Sequence, residues 1–190
     1  MGKKDKDLKN NREFILLKTM ELLTQNSVQA TSFADIAKAV NLSKGTLYYY
    51  FPSKEDLVLQ VCENYFKEIS QQLFEWLGHM ESFKRPQAAL QELIGIFTKS
   101  QDRAKLHISL MNEAAFGNQR LLKRWREKYA EWQTLAEVGL ARLELSPLYA
   151  KKWAMACFGI LDGSIINRAL KMPALDLDVY KRQAPSRERW

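Results

Sequence analysis

The sequence has few of the residues that interrupt helices. It contains eight glycines and five prolines in 190 residues, and most of them lie at apparent helix ends. No segment alternates apolar and polar residues as a half-buried strand does. We therefore predict an all-α fold, and the hydrophobic share of 46% and charged share of 27% are those of an ordinary globular protein.

Residues that build metal or catalytic sites are also scarce. Cys62 and Cys157 are far apart and match no metal or redox spacing, so we expect reduced, buried thiols. His79 and His107 have no partner ligands at metal spacing. No nucleophile–base pair, carboxylate pair or phosphate-binding loop is recognisable. We expect neither an enzyme nor a cofactor.

Long apolar runs are missing too. Residues 1–13 are charged and polar and no apolar run follows them, so we expect no signal peptide. The most apolar stretch, Trp153–Leu161, is too short to span a bilayer, which needs about 20 apolar residues. Scattered charge argues against a helical protein of the membrane surface. The expected location is the cytoplasm.

The formal charge of +7 allows nucleic-acid binding but does not establish it. The first 60 residues carry nine Lys and Arg against seven Asp and Glu, a net charge of only +2. The remaining surplus is spread over the rest of the chain. Because the positive charge is not concentrated in one segment, only the positions of individual basic side chains can indicate whether DNA is a partner.

Apolar spacing predicts a series of helices separated by short turns. Residues 1–12 are expected to form a mobile polar arm before the first helix. Helix starts are marked by Pro86 and Pro147 and by the capping residues Asn118 and Ser146. The expected helices are 13–25, 33–40, 44–51, 54–77, 86–100, 103–116, 119–144 and 147–171.

Residues 32–51 are typical of a helix-turn-helix. The helix FADIAKAV places its apolar residues on one face, and either Thr31 or Ser32 can cap it. Asn41 and Leu42 form the turn, and Ser43 caps the next short helix. Pro52 ends that helix, and Ser53 starts the following one.

The second helix of such a unit enters the major groove of DNA with its N-terminal residues. Lys44 can donate to guanine, Thr46 to a base or phosphate, and Gly45 allows close approach of the backbone. The run Tyr48–Tyr50 is divided by helical spacing, because successive residues are about 100° apart. We expect Tyr48 at the groove, Tyr49 at phosphates and Tyr50 partly inward beside the first helix, with Phe51 in the core.

The run TSFADIAKAVNLSKGTLYYYFPSKEDL closely resembles the DNA-binding domain of the TetR family of bacterial transcriptional regulators, AcrR-like in type. The resemblance covers residues 10–70. It implies phosphate contacts from Thr31, Thr46, Tyr48, Tyr49 and Lys54, and base reading by Ser43, Lys44 and Gly45. Ser27 replaces the glycine usual after the first helix, so we expect Asn26, which tolerates a left-handed conformation, to end that helix.

The resemblance also implies that residues 71–175 form a helical domain for effector binding and dimerisation. This domain holds several aromatic, histidine and methionine side chains, which either pack an ordinary core or line an effector cavity. They are Trp76, Phe97, His107, Met111, Phe116, Trp125 and Trp132. One stripe near the C-terminus fits the four-helix dimer interface of the family, although intramolecular packing is an alternative: Ala150, Ala154, Cys157, Leu161 and Ile165. Gly159 and Gly163 are included in the expected interface because they are small enough for close helix approach.

Residues 178–190 form an anomalous tail, because helical periodicity stops after Val179 where the family usually has one more helix. The segment DVYKRQ can be encoded by GAT GTG TAT AAG AGA CAG, which looks like the mosaic end of a transposon used for sequencing libraries. The two interpretations are a non-native join and a natural basic tail.

The expected function is therefore a repressor that binds a palindromic operator as a homodimer and is released by a small-molecule effector. The alternative is an activator or architectural DNA-binding protein of the same fold with no small-molecule effector.

Overall fold

The computed structural model describes residues 3–83, 86–143 and 146–174, with the side chains of residues 3–10, 86 and 87 excepted. The anomalous tail predicted over 178–190 lies outside these residues. A 3₁₀ turn, Met80–Ser82, follows the fourth helix. The described residues form eight α-helices, α1 Lys3–Gln25, α2 Phe33–Ala39, α3 Lys44–Tyr50, α4 Lys54–Gly78, α5 Pro86–Thr98, α6 Gln101–Phe116, α7 Gln119–Ala141 and α8 Pro147–Ala169. The all-α prediction is confirmed.

Two details of the first helix differ from expectation. It begins at Lys3, so residues 3–12 are helical and do not form a mobile arm. This segment contains neither proline nor glycine, and nothing in it prevents the helix from extending toward the N-terminus. The helix ends at Gln25, but Asn26 does not adopt a left-handed conformation; among the described non-glycine residues, only Asn41 and Lys171 have positive φ.

Local hydrogen bonds fix the helix-turn-helix. Ser32, rather than Thr31, caps α2 through a reciprocal bond pair with Asp35, whose pKa is lowered by these bonds. Asn41, at φ 54°, follows the C-cap, and its N–H donates to Lys38 O while Leu42 N–H donates to Ala37 O. This double bond pattern is a Schellman motif. It turns the chain sharply into α3, which Ser43 caps through Thr46 N–H.

The first three helices pack against the remaining helices and share a core with them. Ile36, Leu47 and Phe51 are buried in the same hydrophobic cluster as Leu57 and residues of the later helices. α4 runs without interruption across the boundary predicted at 70/71, so it belongs to both parts of the molecule. We call α1–α3 the head and α5–α8 the body, with α4 joining them.

Two polar contacts connect the head side of the molecule to the body. Val28 N–H, in the turn after α1, donates to Ser109 Oγ on α6 at 3.1 Å. Arg120, at the start of α7, donates to Asp56 in the first turn of α4 at 2.8 Å, and this bond lowers the pKa of Asp56. Movements of α6 and α7 therefore bear directly on the head and on the beginning of α4.

No α-helix in the described part of the chain is both long enough and apolar enough to cross a membrane.

Candidate nucleic-acid interface and aromatic core

The outward edge of α3 presents a row of exposed side chains. Lys44, Gly45 and Thr46 are exposed, and Leu47 is fully buried beneath them. Ser43 is exposed as well, but its hydroxyl caps α3 and lies 2.8 Å from Thr46 Oγ1. Ser43 and Thr46 are therefore held in one orientation before any partner arrives.

The three tyrosines occupy three different environments. Tyr48 is 53% exposed and rests against Phe33 of α2, with ring centroids 4.7 Å apart. Tyr49 is 70% exposed. Tyr50 is half-buried, and its hydroxyl accepts a bond from Asn11 Nδ2 of α1 at 3.1 Å. The division predicted from helical spacing is the one observed, with Tyr48 and Tyr49 outward and Tyr50 beside the first helix.

The end of α3 is fixed to α1. Arg12 Nη1 donates to Tyr50 O at 3.3 Å, and its guanidinium lies 4.6 Å from the centre of the buried Phe51 ring. A cation over an aromatic face is attracted by the negative face of the ring. Tyr48 and Tyr49 therefore lie on a helix that is held against α1, and not on a loop.

Two lysines occupy the first position of a helix, where a positive charge does not stabilise the helix. Lys44 is the first residue of α3, and Lys54 is the first residue of α4. The positive end of the helix dipole lies there and disfavours a cation. Bound phosphate groups would offset that repulsion, so the position of both lysines fits an interface with a polyanion.

Thr31 contradicts the expectation that its side chain contacts DNA. It is 2% exposed, and its hydroxyl donates to Ser27 O at 2.9 Å. The residue closes the turn between α1 and α2, because its backbone N–H also bonds Val28 O. A hydroxyl buried and bonded in this way is not presented to a partner.

The comparison with known proteins adds to this geometry. Residues 15–61 match the family model described as bacterial regulatory proteins, tetR family. This match identifies residues 15–61 as a DNA-binding domain of the TetR type. It is 28% identical to the HTH-type transcriptional regulator LmrA of Bacillus subtilis over 163 residues, 83% of this chain and 85% of that protein.

Solved structures of transcriptional regulators share the fold over most of the length. A regulator of the TerR/AcrR family from Aquifex aeolicus is 24% identical, with a TM-score of 0.68 over 91% of this chain and 94% of that one. A regulator from Saccharomonospora viridis, solved in complex with choline, is 16% identical, with a TM-score of 0.68 over 84% and 85% of the two chains. With the family model over residues 15–61 and the likeness to LmrA, the chain is a DNA-binding transcriptional regulator with a TetR-type N-terminal domain.

The body of this regulator contains a cluster of aromatic rings that we call the aromatic core. Trp125 stacks against Tyr65 at 6.4 Å and against Tyr129 at 6.0 Å, and His107 stands edge-on to Trp125 at 5.1 Å. Helices α4, α5, α6, α7 and α8 all contribute. The members are Tyr65, Phe66, Phe97, His107, Trp125, Tyr129, Trp132 and Phe158.

Four of the seven predicted pocket residues meet in the aromatic core: Phe97, His107, Trp125 and Trp132. Trp76 is buried elsewhere, where its Nε1 donates to Ala89 O and its ring closely approaches Gly139 of α7. Met111 is half-buried, outside the ring contacts. Phe116 contradicts the prediction, because it is 80% exposed at the end of α6 and lines no interior space.

A chain of hydrogen bonds runs through the aromatic core. The Tyr65 hydroxyl lies 2.6 Å from His107 Nδ1, and the Tyr129 hydroxyl lies 3.2 Å from His107 Nε2. Tyr129 donates its own proton to Asp162 Oδ1 at 2.7 Å. The protonated nitrogen of His107 must then be Nε2, whose N–H donates to the Tyr129 oxygen. The unprotonated Nδ1 accepts a hydrogen bond from the Tyr65 hydroxyl. All four groups are satisfied with His107 neutral.

Burial sets the protonation states of the side chains in this hydrogen-bond chain. It lowers the pKa of His107 to about 3, so the imidazole is uncharged at neutral pH. Burial raises the pKa values of Tyr65 and Tyr129, which remain protonated donors. It also raises the pKa of Asp162, against the opposing effect of the Tyr129 bond.

Sequence reasoning missed five of these residues. Tyr65 and Phe66 precede the segment 71–175 in which we expected the pocket, and Phe158 lies in the stretch that we assigned to the dimer interface. Tyr129 follows Trp125 by four positions, one helical turn, and that spacing was a usable signal. Asp162 had a usable signal as well, since it is the single acidic residue of α8.

The predicted dimer stripe has to be corrected. Five of its members are buried within the subunit, because they form the face of α8 that packs on α5, α6 and α7: Ala150, Ala154, Cys157, Leu161 and Ile165. Gly159 and Gly163 lie on the opposite, exposed side, and a Cβ built on either would meet open space. The sequence did not reveal this because α8 is apolar on both faces, so periodicity does not distinguish them.

The exposed side of α8 carries Lys152 near its start and apolar residues along the rest of its length. We call it the α8 outer face, and its apolar residues recur at intervals of three, four or seven positions, as in a helix-pairing seam. They are Leu148, Met155, Gly159, Gly163, Ile166 and Leu170.

Proposed function

We propose that the protein is a repressor that binds a palindromic operator as a homodimer and releases it when a small molecule binds in the body. The carrying observation is the braced outer edge of α3, where Lys44, Tyr48 and Tyr49 are exposed above a buried Leu47. Helix-turn-helix proteins read the major groove with this part of the second helix.

The homodimer is supported by the α8 outer face. Large apolar side chains exposed along one helix are uncommon on monomers and mark interaction surfaces. Gly159 and Gly163 provide a shallow line along which a second copy of α8 can approach closely. Two heads held by a two-fold interface require a palindromic site, with half-sites one helical turn of DNA or a multiple apart.

Effector release is supported by the contacts of α6. This helix carries His107 in the aromatic core and Ser109, which accepts a bond from Val28 N–H in the head. The two residues are less than one turn apart, so displacement of His107 displaces Ser109. The complex of choline with the Saccharomonospora viridis regulator supports a small-molecule site in this fold.

Selection of bound fragments from the source genome, followed by binding titrations with the recovered operator, tests the DNA-reading arrangement. Tyr49→Ala and Lys54→Ala should weaken binding to all sequences alike and reduce its salt dependence, because both contact phosphates. Lys44→Ala should change base preference instead. Unchanged operator affinity in all three variants would show that α3 does not dock as proposed.

The oligomeric state has its own test. Gly159→Glu introduces a charge into the α8 outer face without a clash inside the subunit, and should convert a dimer into a monomer of about 22.1 kDa in sedimentation. Gly95→Glu on α5 is the matched control, since its Cβ also meets open space. A dimer that survives Gly159→Glu would exclude this face.

An activator or architectural factor without an effector is the alternative function. The choline complex of the Saccharomonospora viridis regulator, which shares this fold, favours the effector-responsive regulator.

A further inference from the structure

We propose that Arg120 of the body is a positioning residue for DNA binding, because it holds and neutralises the Asp56 carboxylate at the start of α4. With that charge neutralised, the first turn of α4 accepts a DNA phosphate beside Lys54. The inference rests on the proposed docking of the head on DNA and adds a residue of α7 to it.

The carboxylate of Asp56 lies in the first turn of α4, two positions after Lys54. Ser53 Oγ donates to Asp56 Oδ2 at 2.9 Å and accepts the Asp56 N–H at 3.0 Å. These bonds turn the carboxylate back over the start of the helix. The helix dipole favours a negative group there, whether it is a side chain or a bound phosphate. The Asp56 carboxylate and a DNA phosphate are therefore directed to the same end of α4.

An unpaired carboxylate at this point would repel the DNA backbone. DNA carries one negative charge per about 1.7 Å of its axis, and salt screens repulsion only beyond about 8 Å. Arg120 Nη1 donates to Asp56 Oδ1 at 2.8 Å, so Ser53 binds one carboxylate oxygen and a guanidinium binds the other. The bond to Arg120 is the largest cause of the lowered pKa of Asp56, which is charged at neutral pH and paired with a cation.

The relative direction of α4 and α7 places Arg120 at the DNA end of the molecule. Four polar contacts join the two helices, and the partners advance along both helices together. They pair Asp56 with Arg120, Glu63 with Arg124, Ser70 with Trp132 and the Leu77 carbonyl with Arg142. The helices therefore run in the same direction, and the first turn of α7 lies beside the first turn of α4.

Folding stability alone does not account for the position of Arg120. The Arg120 side chain is 65% exposed and bonds Asp56 through one nitrogen, whereas Arg124 is half-buried and bonds Glu63 through two. A single exposed bond of this kind contributes little to stability. Arg120 is also the second residue of α7, where the helix dipole disfavours a cation. Its charge is explained by the carboxylate that it covers.

A double-mutant cycle on Arg120 and Asp56 tests the inference. Fluorescence anisotropy with a labelled DNA duplex of mixed sequence measures binding, because phosphate contacts supply essentially all non-specific affinity. Arg120→Ala should weaken binding about fivefold, since it leaves the Asp56 charge facing the DNA backbone. Asp56→Asn should bind at least as tightly as wild type. Added to Arg120→Ala, it should restore affinity to within about twofold of wild type.

The cycle separates three roles of Arg120. Equal losses in Arg120→Ala, Asp56→Asn and the double variant would refute the inference, because the pair would then serve only to hold α4 against α7. A loss in Arg120→Ala that Asp56→Asn does not restore would refute it as well, because Arg120 would then contact phosphate itself.

Two further variants control for total charge and for geometry. Arg126→Ala removes the same charge from an exposed position of α7 and should change affinity less than about twofold. Arg120→Lys keeps a cation beside Asp56 and should stay within about threefold of wild type, since one bond does not need the guanidinium fork. A loss in either variant as large as in Arg120→Ala would contradict the inference. Thermal unfolding shows that each variant is folded at the assay temperature.

Lys54→Ala distinguishes failure of this inference from failure of the proposed docking. Loss of binding in Lys54→Ala with unchanged binding in Arg120→Ala would overturn the role of Arg120 and leave the docking standing. Unchanged binding in Lys54→Ala, Tyr49→Ala and Lys44→Ala would overturn the docking, and the role of Arg120 with it.

Discussion

The head and the body use aromatic side chains in opposite ways. In the head, Tyr48 and Tyr49 are exposed on a short helix whose stability comes from Leu47 and Phe51 beneath it. In the body, Trp125 and Trp132 are buried among other rings, so the same side chains fill the core and line the candidate ligand site. The exposed tyrosines of the head are therefore available for recognition and add little to stability, whereas the buried rings of the body serve both.

This contrast has a consequence for substitution. Replacing an exposed side chain that contacts only a partner changes the free energy of unfolding little. Replacing a buried side chain removes packing contacts and hydrogen bonds and lowers that free energy. The following variants test the contrast, beginning with the largest expected effect.

Trp132→Ala should destabilise the protein by about 3–5 kcal/mol, the usual cost of removing a large buried ring. Trp132 is fully buried, contacts Phe66 and Phe97, and donates Nε1–H to Ser70 Oγ at 2.9 Å. Urea unfolding followed by circular dichroism measures the change. Tyr49→Ala in the head is the counterpart and should change the free energy of unfolding by less than about 0.5 kcal/mol. Similar losses for both variants would refute the contrast.

The same contrast explains what the sequence could predict. The head was predicted closely, because its caps, its turn and its buried positions are local features: Ser43 precedes its helix, and Asn41 tolerates the left-handed turn. Exposure of Tyr48 and Tyr49 followed from helical spacing alone. The cap of α2 was left open between Thr31 and Ser32, because only the three-dimensional hydrogen bonds distinguish two adjacent capping residues. The DNA contact expected of Thr31 rested on the family resemblance alone.

The body was predicted in outline only. Its helices were found, but their partners are set by contacts between residues far apart in sequence, such as Tyr65 with His107. Because α8 is apolar on both sides, its inward face could not be told from its outward face. Phe116 was included for its residue type, although it stands exposed at a helix end.

His107 should make the stability of the body depend on pH. Its pKa is lowered from an ordinary value near 6.5 to about 3, so the unfolded chain binds its proton first as pH falls. The stability contributed by neutral His107 is present above pH 6.5 and is lost toward pH 3. From pH 6.5 to 4.5 this amounts to about 2 kcal/mol.

His107→Gln provides the comparison for that loss, because glutamine has no charge to gain. Other titrating groups affect both proteins alike, including Asp162, which with Tyr65 and Tyr129 faces the same network. The difference in unfolding free energy between wild type and variant should shrink by about 2 kcal/mol between pH 6.5 and 4.5. A difference that stays constant over this range would mean that His107 is accessible to protons in the folded state.

Ser32→Ala and Ser43→Ala should each cost about 1 kcal/mol, the usual value of a lost helix cap. Both hydroxyls accept a backbone N–H, from Asp35 in α2 and from Thr46 in α3. Ser43→Ala should weaken operator binding beyond this, because Ser43 also orients the Thr46 hydroxyl at the recognition edge. Thermal unfolding and operator titration on both variants separate the two effects; equal operator affinities would leave Ser43 with a structural role alone.

Lys54→Ala should change stability less than the other variants. It tests most directly whether recognition and stability are separate in the head. Lys54 is the first residue of α4, where the helix dipole repels its charge, and alanine favours a helix. Removing the lysine should raise the free energy of unfolding by about 0.3 kcal/mol while DNA affinity falls. No substitution at Trp125 or Trp132 can do this, since each ring also holds the body together. If Lys54→Ala lowered stability instead, its charge would be part of the folded structure, and the separation of recognition from stability in the head would not hold.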